Sequence, residues 1–535
     1  MTFNLVDEPW IVVRMADGAA ATVGLRELFH GAHRISRIHG DLATQDFAVL
    51  RVALAIYYRA VLEEASGDYD AVDIAALWND GPPLHAIDRY LDQWHHRFDL
   101  FHPEHPFLQV ADLHLASDEV RGLELLVSGS PGEGALFSMA QRLDYLDAAT
   151  AARWLIHCHA FDYTGIKSGA VGDERVKGGR GYPIGVGWAG WLGGLIVEGD
   201  NVAETLFHNF VAPKEPDDRD APIWELSPLT SAPRRASDAG PFGPLALFTW
   251  PIRRIRLFHS DRSVTGVLVC NGDPLDYWRQ HTREPMSAWR LSDAQRKKQK
   301  STTPVYMPAA HDKSRALWRG LGRLLPWGTD APRDKAGDRL HLPPHTLNEL
   351  SRRVALGLLP EDILIRTSGV GFEYGAQMSS YGELITDALE MHPTVTDPSS
   401  ASHSAVRTAL DRADGAARAV GNFSADLAVA AGGEREPAMS TARDRAYHLL
   451  EQDFGRWLPT VNNTNTEERL SIWTNHARDT LIALAEELTA DAPPAARGLR
   501  ERDGHLVSIG TAQHRFRRNL YHYLPTESKN EGGVA

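Results

Sequence analysis

The densest group of candidate metal ligands in this 535-residue chain is His95-His96 followed by Phe98-Asp99-Leu100-Phe101-His102-Pro103-Glu104-His105-Pro106-Phe107. Histidines this close could hold zinc and activate water for hydrolysis, provided two of them share one helical face. Pro103 and Pro106 lie beside the second pair and prevent a regular helix, so an ordered loop with aromatic plugs is the favoured reading. A metal-dependent hydrolase using His95, His96, His102 and His105 is kept as the alternative. His157 and His159 flank Cys158 in an apolar context and read as packing. The run Gly165-Ile166-Lys167-Ser168-Gly169-Ala170-Val171-Gly172 has a G-x-x-G spacing, and Lys177-Gly178-Gly179-Arg180-Gly181 follows it. Taken alone, both glycine segments are turns. No G-x-S-x-G elbow, Rossmann or P-loop glycine signature, or two-metal carboxylate spacing is present. The chain is therefore read as not an enzyme, with no cofactor and no metal.

The elements that must position these residues divide the chain in two. Residues 1–392 are rich in Pro, Gly and Trp and read as a mixed α/β domain. Within it, Trp10-Ile11-Val12-Val13 and Ala246-Leu247-Phe248-Thr249-Trp250 are expected strands, and Gln45 to Glu64 a buried helix. Residues 393–404 are polar and form the expected linker. Residues 405–524 carry four apolar stripes at helical spacing. These are Val406, Leu410, Ala413, Ala417, Val420; Ala442, Ala446, Leu449, Trp457; Leu470, Trp473, Ala477, Leu481, Leu484, Leu488; and Ile509, Ala512, Phe516, Leu520, Tyr523. Thr464 and Glu467 stand at capping-box spacing before the third. The fold class is thus α+β: a large mixed α/β N-terminal domain followed by an all-α four-helix bundle. Residues 525–535 are an expected disordered tail.

Composition is that of a globular protein, with 43% hydrophobic and 24% charged residues. No apolar run is long enough to span a membrane, and no signal peptide is evident. Two cysteines, Cys158 and Cys270, exclude a disulfide framework and a four-cysteine zinc site, which fits a cytoplasmic setting. A net charge of −14 argues against autonomous nucleic-acid binding, though not against a role inside a larger assembly. The basic segments Arg253-Arg254-Ile255-Arg256, Arg296-Lys297-Lys298-Gln299-Lys300 and Arg515-Phe516-Arg517-Arg518 read as solvated faces.

Four segments in a fixed order resemble one family. They are Phe3-Asn4-Leu5-Val6-Asp7-Glu8-Pro9-Trp10; Phe98 to Gln109; Ala135-Leu136-Phe137-Ser138 followed by Gly165 to Gly181; and Tyr374-Gly375-Ala376-Gln377-Met378-Ser379. Gly243 to Ile255 and Ala316-Leu317-Trp318-Arg319-Gly320 add to the pattern. Together they resemble the large subunit of the type I-E CRISPR Cascade surveillance complex, the CasA family. The resemblance implies a non-catalytic DNA-binding subunit that recognises the protospacer-adjacent motif (PAM) in target double-stranded DNA. It also implies strand separation and R-loop formation, and recruitment of the helicase-nuclease in RNA-guided antiviral defence. Implied partners are the other Cascade subunits, the guide RNA, the target duplex and the helicase-nuclease, with no membrane.

The resemblance carries three sites over. Lys167, Ser168, Gly169, Ala170 and Gly172 match the family's minor-groove glycine loop. There a bare backbone enters a groove ~6 Å wide, and Lys167 would hold a phosphate. Lys177 to Gly181 is a second register for the same loop. Gln377 matches the family's glutamine wedge, whose flat neutral amide can stack beneath a base pair, and Ala376 stands where the family can carry Asn. Phe137, Ser138 and Met139 match a DNA- or RNA-contacting loop, although Phe137 fits a core position equally well. The family's lysine finger has no counterpart, since Asn271 to Arg296 contains no lysine and offers only Arg279, Arg283 and Arg290 as charge substitutes.

Overall fold

The N-terminal run is built into the molecule by a second motif, Phe3 and Asp99 being 96 residues apart in the chain. The computed structural model describes residues 2–128, 143–235, 240–360, 362–502 and 505–526. Leu5 N–H donates to Phe98 O (2.9 Å), Leu100 N–H to Phe3 O (2.9 Å), and Phe3 N–H to the Asp99 carboxylate (3.0 Å). The Trp10 indole closes the run on itself by donating to Leu5 O at 2.8 Å. Phe3, Leu5, Val6 and Trp10 are all buried, so this segment is structural. It leads into a strand, Ile11–Met15, flanked by antiparallel Ala20–Val23 and Ile35–Ile38.

The helix Ala43–Glu64 is apolar on nearly every side and buried along most of its length, as a central core helix must be. Its one fully buried charge, Arg51, is matched by Glu284, with two guanidinium–carboxylate bonds of 2.8 and 2.9 Å. Trp188 Nε1 donates a third bond to the same carboxylate (2.7 Å). A buried pair of this kind persists only when its hydrogen bonds are filled this completely. The helix Ala148–Phe161 packs against it, its N-terminus capped by Asp147, which accepts from Thr150 N–H.

Two sheets then matter for function. In one, the hairpin Arg253–Ser260/Ser263–Asn271 joins the short strands Lys167–Ser168 and Arg180–Gly181, with Ser168 opposite Cys270. In the other, Ile365–Tyr374 lies between Gly194–Glu198 and Tyr381–Met391. The strand expected over Ala246–Trp250 is instead a short helix, Pro244–Phe248. Proline sits at its first turn, and the Asp220 carboxylate accepts from the Leu245 and Ala246 N–H groups, which acts as a cap.

The described residues form two compact units. One comprises Met1–Arg315, Thr329–Leu350 and Ile365–Ala388, the other Ala316–Gly328, Ser351–Leu364 and Leu389–Ala535. The second contains four long helices: Ala401–Ala431, Arg435–Trp457, Thr466–Ala490 and Ile509–Tyr523, the first touching all the others. Together with the mixed first unit this is an α+β protein with a helical C-terminal region. Residues 393–404 are ordered: Pro393–Thr396 form a buried 3₁₀ turn, and Ser400 caps the first long helix. Two details of the stripes shift. Leu449 is exposed, because the second helix buries Ala446, Leu450, Phe454 and Trp457. The capping box of Thr464 and Glu467 does not form, since Asn465 is the N-cap residue and the Thr464 hydroxyl donates to Asn462. The expected tail lies beyond the described residues from 527 onward. No helix among the described residues is long and apolar enough to cross a membrane.

Candidate nucleic-acid interface

The His102 and His105 rings stack at 5.3 Å, but the four histidines do not converge on one point. His95 Nε2 lies 2.7 Å from Asp7, with its Nδ1 beside the Asn4 amide, while the His96 ring stacks on Trp94. His102 Nδ1 accepts from the Glu104 and His105 N–H groups, so it shapes its own loop. Among the described residues no three His, Cys, Asp or Glu side chains converge as a metal site. The alternative of a hydrolase at His95, His96, His102 and His105 therefore loses its geometric basis. His157 and His159 are buried in the helix Ala148–Phe161, hydrogen-bonding Thr44 and Leu108 O, and burial pushes them down to about 3 and about 4. Both cysteines are buried free thiols.

The glycine segment forms a hairpin, and its two registers differ in what they expose. Gly169 and Ala170 are buried. A Cβ on Gly169 would stand 2.5 Å from Val176 Cγ1 and 2.7 Å from the Gly179 carbonyl carbon. Glycine is thus required there by packing, and Gly169 N–H donates to Gly179 O at 2.9 Å. Ser168 is half-buried within its strand, and Gly172 is exposed at φ 93° beside Ser231. Lys167 departs from expectation most. Its side chain is 7% exposed, its ammonium lies 2.7 Å from Asp162 Oδ2, and it sits 4.0 Å over the Tyr163 ring. Desolvation lowers its pKa. A lysine committed to an internal carboxylate is not presented to a phosphate, so that expected role does not fit.

The exposed tip is the second register. Gly178 and Gly179 adopt φ 57° and 71° between Lys177 and Arg180, whose backbones exchange two hydrogen bonds of 3.1 Å. Two successive left-handed residues in a two-residue hairpin loop make a type I′ turn, which glycine meets without strain. Nothing lies within 4 Å of where a Cβ would stand on either glycine. Lys177 and Arg180 are both exposed, so a bare backbone is flanked by two cations.

Gln377 and Ala376 are exposed on the turn linking Ile365–Tyr374 to Tyr381–Met391, and Gln377 holds a left-handed φ of 55°. That turn is tied to the start of the glycine segment, because Thr164 N–H donates to Met378 O at 2.9 Å. The Tyr374 hydroxyl donates to Phe161 O (2.7 Å), and the Tyr381 ring meets Tyr163 edge-on at 5.3 Å. Beside this turn lies a groove of about 610 Å³ bordered by Trp191, Tyr277, Arg290, Lys313 and Met378. Of the three candidate substitutes for the lysine finger, all exposed, Arg290 alone borders this groove. Phe137, Ser138 and Met139 lie outside the described residues.

Residues that sequence reasoning missed lie underneath. Arg253 and Arg254, expected on a solvated face, are buried at 1% and 0% exposure. Arg253 Nε donates to Asp162 at 2.5 Å, and Arg254 shares Asp273 with Arg234. For Arg253 the signal was available in Ile255 and Leu257, which alternate with it on one buried strand face where a charge needs a partner.

A family model described as CRISPR-associated protein Cse1 matches residues 4–484. The chain belongs to that family. A CasA/Cse1 protein of Thermus thermophilus is 32% identical over 330 residues, covering 61% of this chain and 60% of that relative. The aligned part is thus less than two thirds of the curated relative's length. The crystal structure of Thermobifida fusca Cse1 superposes with a TM-score of 0.87 at 40% identity, covering 98% of this chain and 99% of that one. Cse1 of Acidimicrobium ferrooxidans gives 0.79 at 29% identity, with 98% of each chain covered. The likeness read from the ordered motifs is therefore a family relationship, and all of those motifs but the first residue fall within residues 4–484.

Proposed function

We propose that this Cse1-family chain is the non-catalytic subunit of a type I-E Cascade complex that recognises the PAM in target double-stranded DNA. In this reading it promotes strand separation and R-loop formation and helps recruit the helicase-nuclease in antiviral defence. The observation that carries the reading is the pairing, within one unit, of an exposed double-glycine turn with an exposed glutamine turn, joined by the Thr164–Met378 bond. The backbone of Gly178 and Gly179 is slim enough for a minor groove ~6 Å wide, and Lys177 and Arg180 can meet the phosphates on either side. Gly172 lies on the exposed flank, while Ser168, Gly169 and Ala170 form the hairpin base. Gln377, with Ala376 before it, then enters the base stack, where a neutral amide replaces lost edge hydrogen bonds without burying a charge. A contact of Phe137, Ser138 and Met139 with DNA or RNA rests on the family resemblance alone.

The protein reads only a short duplex element, while guide-RNA pairing reads the long sequence, so no catalytic group is needed. An acidic chain serves this role when the other Cascade subunits hold most phosphates and its own cations are local. A cytoplasmic setting goes with these partners. The test uses the assembled complex with guide RNA and a PAM-bearing duplex. Gly178→Asp should abolish PAM-dependent binding by setting a carboxylate against the groove. Gln377→Ala should leave initial binding in place and reduce strand opening. Normal binding and opening by both variants would overturn the assignment.

A further inference from the structure

Four residues, Phe161 to Thr164, bear both exposed turns at once. On the wedge side, Phe161 O accepts the Tyr374 hydroxyl, the Tyr163 ring packs edge-on against Tyr381, and Thr164 N–H holds Met378 O. On the glycine side, the Asp162 carboxylate holds Lys167 Nζ at 2.7 Å and Arg253 Nε at 2.5 Å. The Arg253 guanidinium also donates to Tyr163 O (2.9 Å) and Gly185 O (2.8 Å), and Gly187 N–H donates to Asp162 O (2.8 Å). One buried guanidinium therefore pins the two ends of the glycine segment together, in a place where apolar packing would serve stability equally well. These bonds give a displacement of the glycine hairpin a continuous route to the hairpin carrying Gln377.

We propose that the Phe161–Thr164 junction transmits engagement of the glycine turn to the wedge, with Tyr374, Lys167 and Arg253 as its positioning residues. The inference rests on the reading that the Lys177–Arg180 turn meets the PAM and that Gln377 opens the duplex. Tight binding of the tag then favours the inserted position of Gln377, and the two events occur as one step. Without the junction, binding and opening become separate equilibria.

The test uses the assembled complex, a PAM-bearing duplex with 2-aminopurine at the first target base pair, and the variants Tyr374→Phe and Lys167→Met. The first removes only the hydroxyl that holds Phe161 O. The second removes one of the two cations on Asp162 and leaves Arg253 as its partner. Each variant should bind the duplex within about twofold of the unmodified complex, while the opened-to-closed ratio at saturating duplex drops about fivefold or more. Fivefold is the change brought by losing one ordinary hydrogen bond, as in Tyr374→Phe, and the charge-assisted Lys167–Asp162 bond sets a larger drop for Lys167→Met. Unchanged opening in both variants would overturn the proposal. So would a parallel loss of binding and opening, which marks a residue that merely supports the fold. The unmodified complex separates this from the parent reading: if it shows no PAM-dependent binding, the assignment of the turns fails before any variant is compared.

Discussion

Placing a methyl group at Gly169 should loosen the glycine hairpin, whereas the same methyl at Gly178 should leave it closed. At Gly169 the new carbon would stand 2.5 Å from Val176 Cγ1 and 2.8 Å from Gly179 O, where unstrained carbon contacts begin near ~3.5 Å. Val176 and the Gly179 carbonyl must both move, and the Gly169 N–H···O=C Gly179 bond of 2.9 Å lengthens or breaks. Overpacking plus one lost backbone bond costs about 2–4 kcal/mol against closing of the hairpin. At Gly178 nothing lies within 4 Å, and the only cost is the left-handed φ of 57°, about 1 kcal/mol. Hydrogen exchange reads the difference. Amides of Gly169, Lys177 and Arg180 should exchange roughly 30- to 700-fold faster in Gly169→Ala and only about fivefold faster in Gly178→Ala. Equal exchange in the two variants would refute the assignment of Gly169 to packing and Gly178 to the exposed tip.

Two further outcomes follow from the core. Arg51→Met leaves Glu284 buried with its arginine partner gone and should cost about 3–5 kcal/mol, read as a lowered melting temperature; the double substitution Arg51→Met, Glu284→Gln should recover part of it. A fully stable single variant would contradict the buried pairing. His157, pushed down to about 3 by burial, excludes the proton that the unfolded chain takes up below its ordinary pKa of ~6.5. Its contribution to stability is therefore intact above ~6.5 and lost at ~1.4 kcal/mol per pH unit as the pH falls toward about 3. The stability gap between the unmodified protein and His157→Gln should narrow by about 2 kcal/mol from pH 7 to pH 5, by chemical denaturation. A gap independent of pH would mean that His157 is not held neutral.

Where the sequence was legible, one physical rule dominated. The four long C-terminal helices follow from sustained apolar periodicity, and the helix Ala43–Glu64 from an apolar stretch too long for a strand. Where rules competed, the reading failed. Ala246–Trp250 looks like a strand by residue type, yet Pro244 and the Asp220 cap make it helical. Leu449 fits a three-and-four spacing, but Leu450 and Phe454 bury more surface on the adjacent face. Arg253 and Arg254 look solvated until both faces of this end of their strand are seen to be covered, with Asp162 and Asp273 supplied from elsewhere in the chain. Sequence leaves two glycine registers for the same reason. Which glycine is packed and which is free depends on Val176 and on hairpin pairing, and spacing alone carries neither.

The central claim is that the Lys177–Arg180 turn sits in the minor groove of the PAM. Cys158 and Cys270 are buried free thiols, so Lys177→Cys offers a single accessible site for an iron–EDTA cleavage reagent. In the assembled complex, strand cuts should centre on the PAM, on both strands and offset as across a minor groove. Cuts confined to the guide-paired region, or none above the level of the unlabelled complex, would contradict it.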